Sequence, residues 1–140
     1  MTVVEESYVD TAVGMGDIEL RVPADVRCLP FIRSLAATIA TRADFTTDFV
    51  EDFRLAVDEA GAMLAASAWP GSELRCRFRV GTDSITLQAT ALSTVDLLPD
   101  PSALFGWRVL TTLTDTAKTR IEQIPGGYRV VIELTKRAAL

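Results

Sequence analysis

The amino-acid sequence predicts an α+β protein, a two-layer α/β sandwich in which a mainly antiparallel mixed sheet carries three helices on one face. Three observations lead to this prediction. Alternating segments come in two hairpin pairs, three segments have helical periodicity, and the order is strand, helix, helix, two strands, helix, two strands. Helices that cover only one face of a sheet leave the other face open, and we expect that face to be available to partners.

The first strand and the first helix are adjacent in the chain. Residues 17–22 alternate between charged and apolar side chains and stop at Pro23, which predicts a strand. Residues 24–43 show helical periodicity, although Pro30 lacks the amide hydrogen that an internal helical position donates. We therefore expect Pro30 either to kink this helix or to mark its true start.

The second helix has the most regular pattern of the chain. Apolar side chains recur every three or four positions between residues 49 and 67, which predicts a long stripe facing the core. The Pro-Gly pair at 70–71 ends the run. At its start, Asp48 and Glu51 are three residues apart and resemble a capping box.

The second half of the chain predicts two hairpins separated by a helix. Residues 74–80 and 84–92 alternate and are joined by a Gly-Thr-Asp turn. Residues 117–124 and 128–135 flank a Pro-Gly-Gly turn in the same way. Between the two hairpins, the apolar residues of segment 104–115 recur four apart, which indicates the third helix.

The length and composition fit one globular domain. The chain has 140 residues, of which 49% are apolar and 24% charged, so it can bury a core without metal or disulfide. Residues 1–16 carry no sustained pattern, and we expect a flexible tail there before a single domain at 17–137. The net charge of −5 disfavours direct nucleic-acid binding, and no apolar run approaches a membrane span. We therefore expect a cytoplasmic protein.

Several residue types narrow the chemistry further. The absence of histidine excludes histidine bases, histidine metal ligands and Ser-His or Cys-His nucleophile pairs. Cys28 and Cys76 are far apart and are predicted to be buried, reduced thiols. Trp69 and Trp107 are predicted to pack in the core or at a helix end. The glycines at 126–127 are typical of a turn and not of a phosphate loop.

Three stretches, taken in this order of elements, resemble one family. They are IELRVPADVRCLPFIRSLAATIATRADFTTDFVEDFRLAVDEA (18–60), FGWRVLTTLTD (105–115) and GGYRVVIELTKR (126–137). Over residues 17–137 the chain resembles the bacterial anti-sigma factors of the stress-response and sporulation type, which are small serine-protein kinases. The resemblance implies the histidine-kinase-like ATPase fold that gyrase, the heat-shock-90 chaperones and the histidine kinases share.

The resemblance implies a regulatory function. Members of this family hold an alternative sigma factor away from RNA polymerase and release it when an anti-anti-sigma protein of the STAS type competes. Kinase-active members use ATP to phosphorylate a serine of that antagonist, and members usually form homodimers. Two functions follow for this chain: an anti-sigma factor with weak or no ATP chemistry, or an active ATP-dependent serine kinase. A third alternative is an unrelated ligand-binding or scaffold domain, because a fold does not fix function.

Four arginines are candidates for partner binding. Arg33 matches a first-helix arginine that lies at the partner-binding surface in relatives, and the alternative is an ordinary exposed helix residue. Arg75, Arg77 and Arg79 alternate along one strand, so all three point to the same, open face of the sheet. They form either a solvated strand face or a surface for an acidic partner, since arginine pairs well with carboxylates.

Glu59 is the candidate catalytic residue, in a weak or vestigial form. The resemblance aligns it with a glutamate that acts on the attacking group, and aligns Met63, four residues later, with a magnesium-binding asparagine. A thioether offers no hard oxygen, so Met63 is not predicted to bind magnesium. Asp58 lies about 100° around the helix from Glu59 and is predicted to be solvent-facing charge. Asp52 lies on the flank of Glu59 and could share its environment.

The nucleotide-binding boxes of the family are incomplete in this chain. The adenine-binding aspartate aligns with Ala91, and Asp96 or Asp100 could replace it only if the loop shifts. The second glycine box retains Gly106 alone for a close approach to phosphates. Tyr128 stands where relatives usually have threonine. We therefore predict no metal site and no firm cofactor, with ATP and magnesium bound weakly if at all.

Overall fold

The computed structural model describes residues 16–94 and 101–139, with side chains from residue 105 onward in the second range. The elements follow the predicted order and begin with one strand before two helices. None of the helices in these ranges is long and apolar enough to cross a membrane. The bounds, in chain order, are β1 Asp17–Pro23, a 3₁₀ turn Val26–Cys28, α1 Leu29–Arg42, α2 Thr47–Ala66, β2 Glu73–Val80, β3 Ser84–Ser93, α3 Pro101–Leu113, β4 Thr116–Ile124 and β5 Gly127–Arg137.

The elements build the predicted α+β sandwich, a five-stranded sheet with the order β1-β2-β3-β5-β4. Helix α2 packs between α1 and α3 and lies over β2, β3 and β5. All four pairings among the described strands are antiparallel, so the sheet contains no parallel pair there and is not mixed. The reason is the placement of β5: it inserts between β3 and β4, which run in the same direction and would otherwise be neighbours.

The core fills the space between the sheet and the helices. In β2 and β3 every second side chain is buried, as the alternation predicts. Phe53 of α2 is fully buried, and its ring centroid lies 6.0 Å from that of Phe49 and 6.3 Å from that of Phe78 in β2. Phe53 therefore joins the helical layer to the sheet. The largest fully buried side chains are Phe53, Phe78, Ile32, Ile39, Leu64, Leu74, Ile85, Leu87, Leu110, Ile132, Leu134 and Val57.

The first turns of α1 and α2 show which residues begin these two helices. Pro30 lies in the first turn of α1, where no intrahelical amide is lost, so it marks the true start and causes no kink. At α2 the predicted capping box of Asp48 and Glu51 is wrong. The N-cap is Thr46, whose hydroxyl accepts from the backbone N–H of Phe49 at 3.2 Å. Asp48 instead lies in the first turn, where its charge favours the helix dipole.

The turn between β4 and β5 uses its two glycines for different purposes. Gly126 has φ +87°, a left-handed conformation that glycine adopts without strain. At Gly127 the constraint is space, because a Cβ there would lie 2.5 Å from the backbone oxygen of Ser93 and 2.8 Å from Trp69 Nε1. Trp69 thus packs on this turn just beyond the end of α2, in agreement with its predicted role at a helix end.

We expect Gly127→Ala to lower the free energy of unfolding by about 1–3 kcal/mol, because the Ser93 carbonyl cannot move aside without disturbing β3. Gly81→Ala is the matched control. A Cβ at Gly81 would meet only atoms of Ser84, at 3.3 and 3.5 Å, so the change should stay within about 0.5 kcal/mol. Urea denaturation of both variants measures the difference, and equal effects would show that the contact at Gly127 is unimportant.

Candidate functional site

The adjacent acids Asp58 and Glu59 of helix α2 lie toward different neighbouring helices. Successive residues of a helix are 100° apart, so Asp58 and Glu59 project from different flanks. Asp58 lies toward α1, where its Oδ1 accepts from Arg33 Nη1 at 2.8 Å. Glu59 lies toward α3, where its Oε2 is 2.6 Å from the point that a Cβ on Gly106 would occupy. The two acids therefore belong to two separate contacts between helices. We call the contact of Arg33 with Asp58 the α1 seam, and the contact of Glu59 and Met63 with Gly106 the α3 seam.

The α1 seam corrects the prediction made for Asp58. Its side chain is not free solvent-facing charge, because it forms an ion pair with Arg33. Each of the two side chains is 33% exposed, so the pair is held between two helices and still reaches solvent. Sequence periodicity places Asp58 on the correct flank of α2 but does not identify the neighbouring helix on that side. The structure thus links the arginine and the acid that the sequence analysis treated separately.

The α3 seam is closely packed. Gly106 is buried within α3 and not in a phosphate-binding loop. A Cβ there would also lie 2.7 Å from Met63 Sδ, so glycine permits the backbone of α3 to approach α2 at this point. The structure therefore brings Glu59, Met63 and Gly106 together, a grouping that the sequence analysis did not predict. The contact that Gly106 makes is one between helices.

The donor set of the α3 seam does not fit magnesium. Glu59 supplies one carboxylate, whereas Met63 supplies a thioether, and magnesium needs several hard oxygen ligands. Among the residues that the structure describes, no three of the types Cys, Asp and Glu come together as a metal-binding group. Ala91, which the family resemblance places at the position of the adenine-binding aspartate, is a buried core residue of β3. Asp96 and Asp100, its possible replacements, lie outside the described residues.

The neighbour of Asp52 is a lysine that the sequence analysis missed. Asp52 does lie on the α3 side of α2, but its Oδ2 is 3.8 Å from Lys136 Nζ. Lys136 donates to the backbone oxygen of Leu113 at 2.9 Å, and its Nζ lies 5.5 Å from the centroid of the Phe49 ring. This lysine fastens the end of α3 to the start of α2. The sequence did contain an indication of this contact, because the alternation of β5 places Lys136 on the same, buried side of the strand as Ile132 and Leu134.

The arginines of β2 lie on the open face of the sheet, as predicted, and acids of β1 accompany them. Arg77 Nη2 lies 2.7 Å and Arg79 Nε 3.1 Å from the carboxylate of Asp17, and Arg75 Nε lies 3.8 Å from Glu19. Burial by itself would raise the pKa of Asp17, but hydrogen bonds from Arg79 and Arg77 hold that pKa below its usual value. Part of the positive charge on this face is therefore already compensated. The sequence already indicated these acids, because the alternation of β1 places Asp17 and Glu19 together on its polar side.

The two thiols are free within the described residues, in agreement with the prediction of reduced cysteines. Cys76 is buried in β2, and burial raises the pKa of its thiol to about 12. Such a thiol stays protonated at neutral pH and is a poor nucleophile. Cys28 is only half-buried, so its predicted burial is wrong: it lies in the short turn before α1, at the edge of the core. Neither cysteine contributes to the two seams.

The fold is an α+β sandwich, consistent with the histidine-kinase-like fold, and Glu59 of its second helix has no magnesium donor set beside it among the described residues. Two known proteins are similar to the chain, both Anti-sigma-F factor RsbW, from Mycobacterium tuberculosis strains CDC 1551 / Oshkosh and ATCC 25618 / H37Rv. Each is 36% identical over 130 residues, which cover 90% of this chain and 77% of the relative. No model of a protein family matches the chain. The chain belongs to the RsbW family of anti-sigma factors.

Proposed function

We propose that the protein is an anti-sigma factor that sequesters an alternative sigma factor and releases it when a STAS-type anti-anti-sigma protein competes. The observation that carries this proposal is the similarity to Anti-sigma-F factor RsbW over 90% of the chain. The α1 seam supports it, because Arg33 is at the position of the family's partner-binding arginine and is partly exposed. In this proposal the protein acts in the cytoplasm as a homodimer, and Arg75, Arg77 and Arg79 offer a second surface for an acidic partner.

Sequestration does not require catalysis, and we propose that nucleotide chemistry in this protein is weak or absent. The α3 seam supports this view, since Met63 supplies no hard oxygen and α3 packs directly on Glu59. The second candidate function is an ATP-dependent serine kinase acting on the anti-anti-sigma protein. Its support is Glu59, which remains at the family's catalytic position. That alternative needs metal ligands other than Met63.

The experiment that tests the proposal is a calorimetric titration of the purified protein with each alternative sigma factor of its host. We expect a stable complex in nucleotide-free buffer, with the same affinity when millimolar ATP and magnesium are present. A complex that forms under no nucleotide condition would rule out the anti-sigma function. A parallel titration with Mg-ATP separates the second candidate: tight binding, together with phosphorylation of the anti-anti-sigma protein that Glu59→Gln abolishes, would favour the kinase.

A further inference from the structure

We infer that Asp58 competes with a binding partner for Arg33 and thereby lowers the affinity of the α1 seam for an acidic group. This inference rests on the proposed function, in which Arg33 contacts the partner. In this inference the role of Asp58 is not to stabilise the fold. Asp58 binds Arg33 in the free protein and is displaced when a partner supplies a stronger acceptor.

The geometry of the pair supports an exchangeable contact. A single nitrogen, Arg33 Nη1, donates to a single oxygen, Asp58 Oδ1, at 2.8 Å. An arginine has five N–H donors, so most of the guanidinium remains available for a second acceptor. Among the described residues, Asp58 is the one carboxylate within ion-pair distance of Arg33. The electrostatic attraction that Arg33 offers to a partner therefore depends on this one neighbour.

The energetics also favour exchange. Both side chains are 33% exposed, and ion pairs that water reaches contribute little to stability. A partner carboxylate can bind the guanidinium through two parallel hydrogen bonds, which is stronger than the single bond to Asp58. If the partner displaces Asp58, the intramolecular pair must first break. If both acids share the guanidinium, their like charges repel each other, so Asp58 weakens binding in either arrangement.

The test compares Asp58→Asn with Glu51→Gln, using the host sigma factor that forms the complex with the unmodified protein. Glu51 forms an ion pair with Arg54 on the same helix, so its neutralisation removes one comparable acid without touching Arg33. We expect Asp58→Asn to tighten binding by about two- to fivefold, the range that an exposed ion pair supplies. Glu51→Gln should leave the affinity unchanged. In an Arg33→Met background, Asp58→Asn should give no gain.

Each remaining outcome contradicts the inference in a recognisable way. Weaker binding after Asp58→Asn would show that the acid orients Arg33 for the partner, and unchanged binding would show that the two acids do not compete. A gain that persists in the Arg33→Met background would mean that Asp58 acts on the partner without Arg33. If the unmodified protein and every variant fail to bind any sigma factor, the proposed function itself fails, and this inference with it.

Discussion

Replacement of Phe53 by alanine should lower the free energy of unfolding by about 3–5 kcal/mol, the range for truncating a buried phenylalanine. Its side chain has no solvent exposure and contacts the rings of Phe49 in α2 and Phe78 in β2. Truncation would leave a cavity at the point where the helical layer meets the sheet, and close-packed neighbours refill such a cavity only in part.

Phe31→Ala is the control for this prediction. Phe31 belongs to α1, but its side chain is 64% exposed, so its truncation should change stability by less than about 0.5 kcal/mol. Urea denaturation followed by circular dichroism measures both variants. Natural domains of this size have about 5–15 kcal/mol of stability, so Phe53→Ala should remain folded and measurable. A loss as small as that of Phe31→Ala would mean that Phe53 is not central to the core.

Arg33→Glu should reduce the affinity for the sigma factor at least about 30-fold, which corresponds to the 2 kcal/mol that defines an interface hot spot. The substitution removes the guanidinium that the proposal assigns to the partner. It also places a new carboxylate beside Asp58, whose Oδ1 lies 2.8 Å from Arg33 Nη1 in the unmodified protein. Two like charges at the seam would repel an acidic partner group as well as each other.

Arg42→Glu reverses a charge on the same helix and serves as the control. Arg42 is exposed in the last turn of α1, nine residues and about 13 Å along the helix from Arg33. Its reversal should leave sigma-factor affinity within about threefold, since exposed charges more than about 10 Å apart are largely screened by salt. Thermal unfolding of both variants checks that each one folds. Equal losses of affinity would place the binding surface away from the α1 seam.

The individual helices and strands follow from local patterns that need no knowledge of distant neighbours, whereas the strand order of the sheet does not. Alternation in β2 and β3 identifies both the strands and their buried faces, and the position of Pro30 limits where α1 starts. The start of α2 was misplaced because Thr46 and Asp48 are both good capping residues. Which of them caps depends on the backbone conformation of the preceding turn, and residue type alone does not determine that conformation.

The site depends on contacts between elements, and there the sequence is less informative. Helical geometry separates Asp58 from Glu59 by 100°, but only the packing order of α1, α2 and α3 identifies Arg33 and Gly106 as their neighbours. The contacts of Lys136 were missed for the same reason, because this lysine is distant in sequence from Asp52 and Leu113. Pairing between separated residues requires the topology, which a single sequence does not supply.

The division of α2 into two flanks bears on how such a protein can change over generations. A mutation at Met63 or Glu59 alters the contact with α3 and leaves the ion pair between Arg33 and Asp58 in place. Selection can therefore act on each flank separately, although the residues concerned are neighbours in the gene. A lineage can therefore lose the residues of the α3 seam by drift while the Arg33–Asp58 flank stays under constraint.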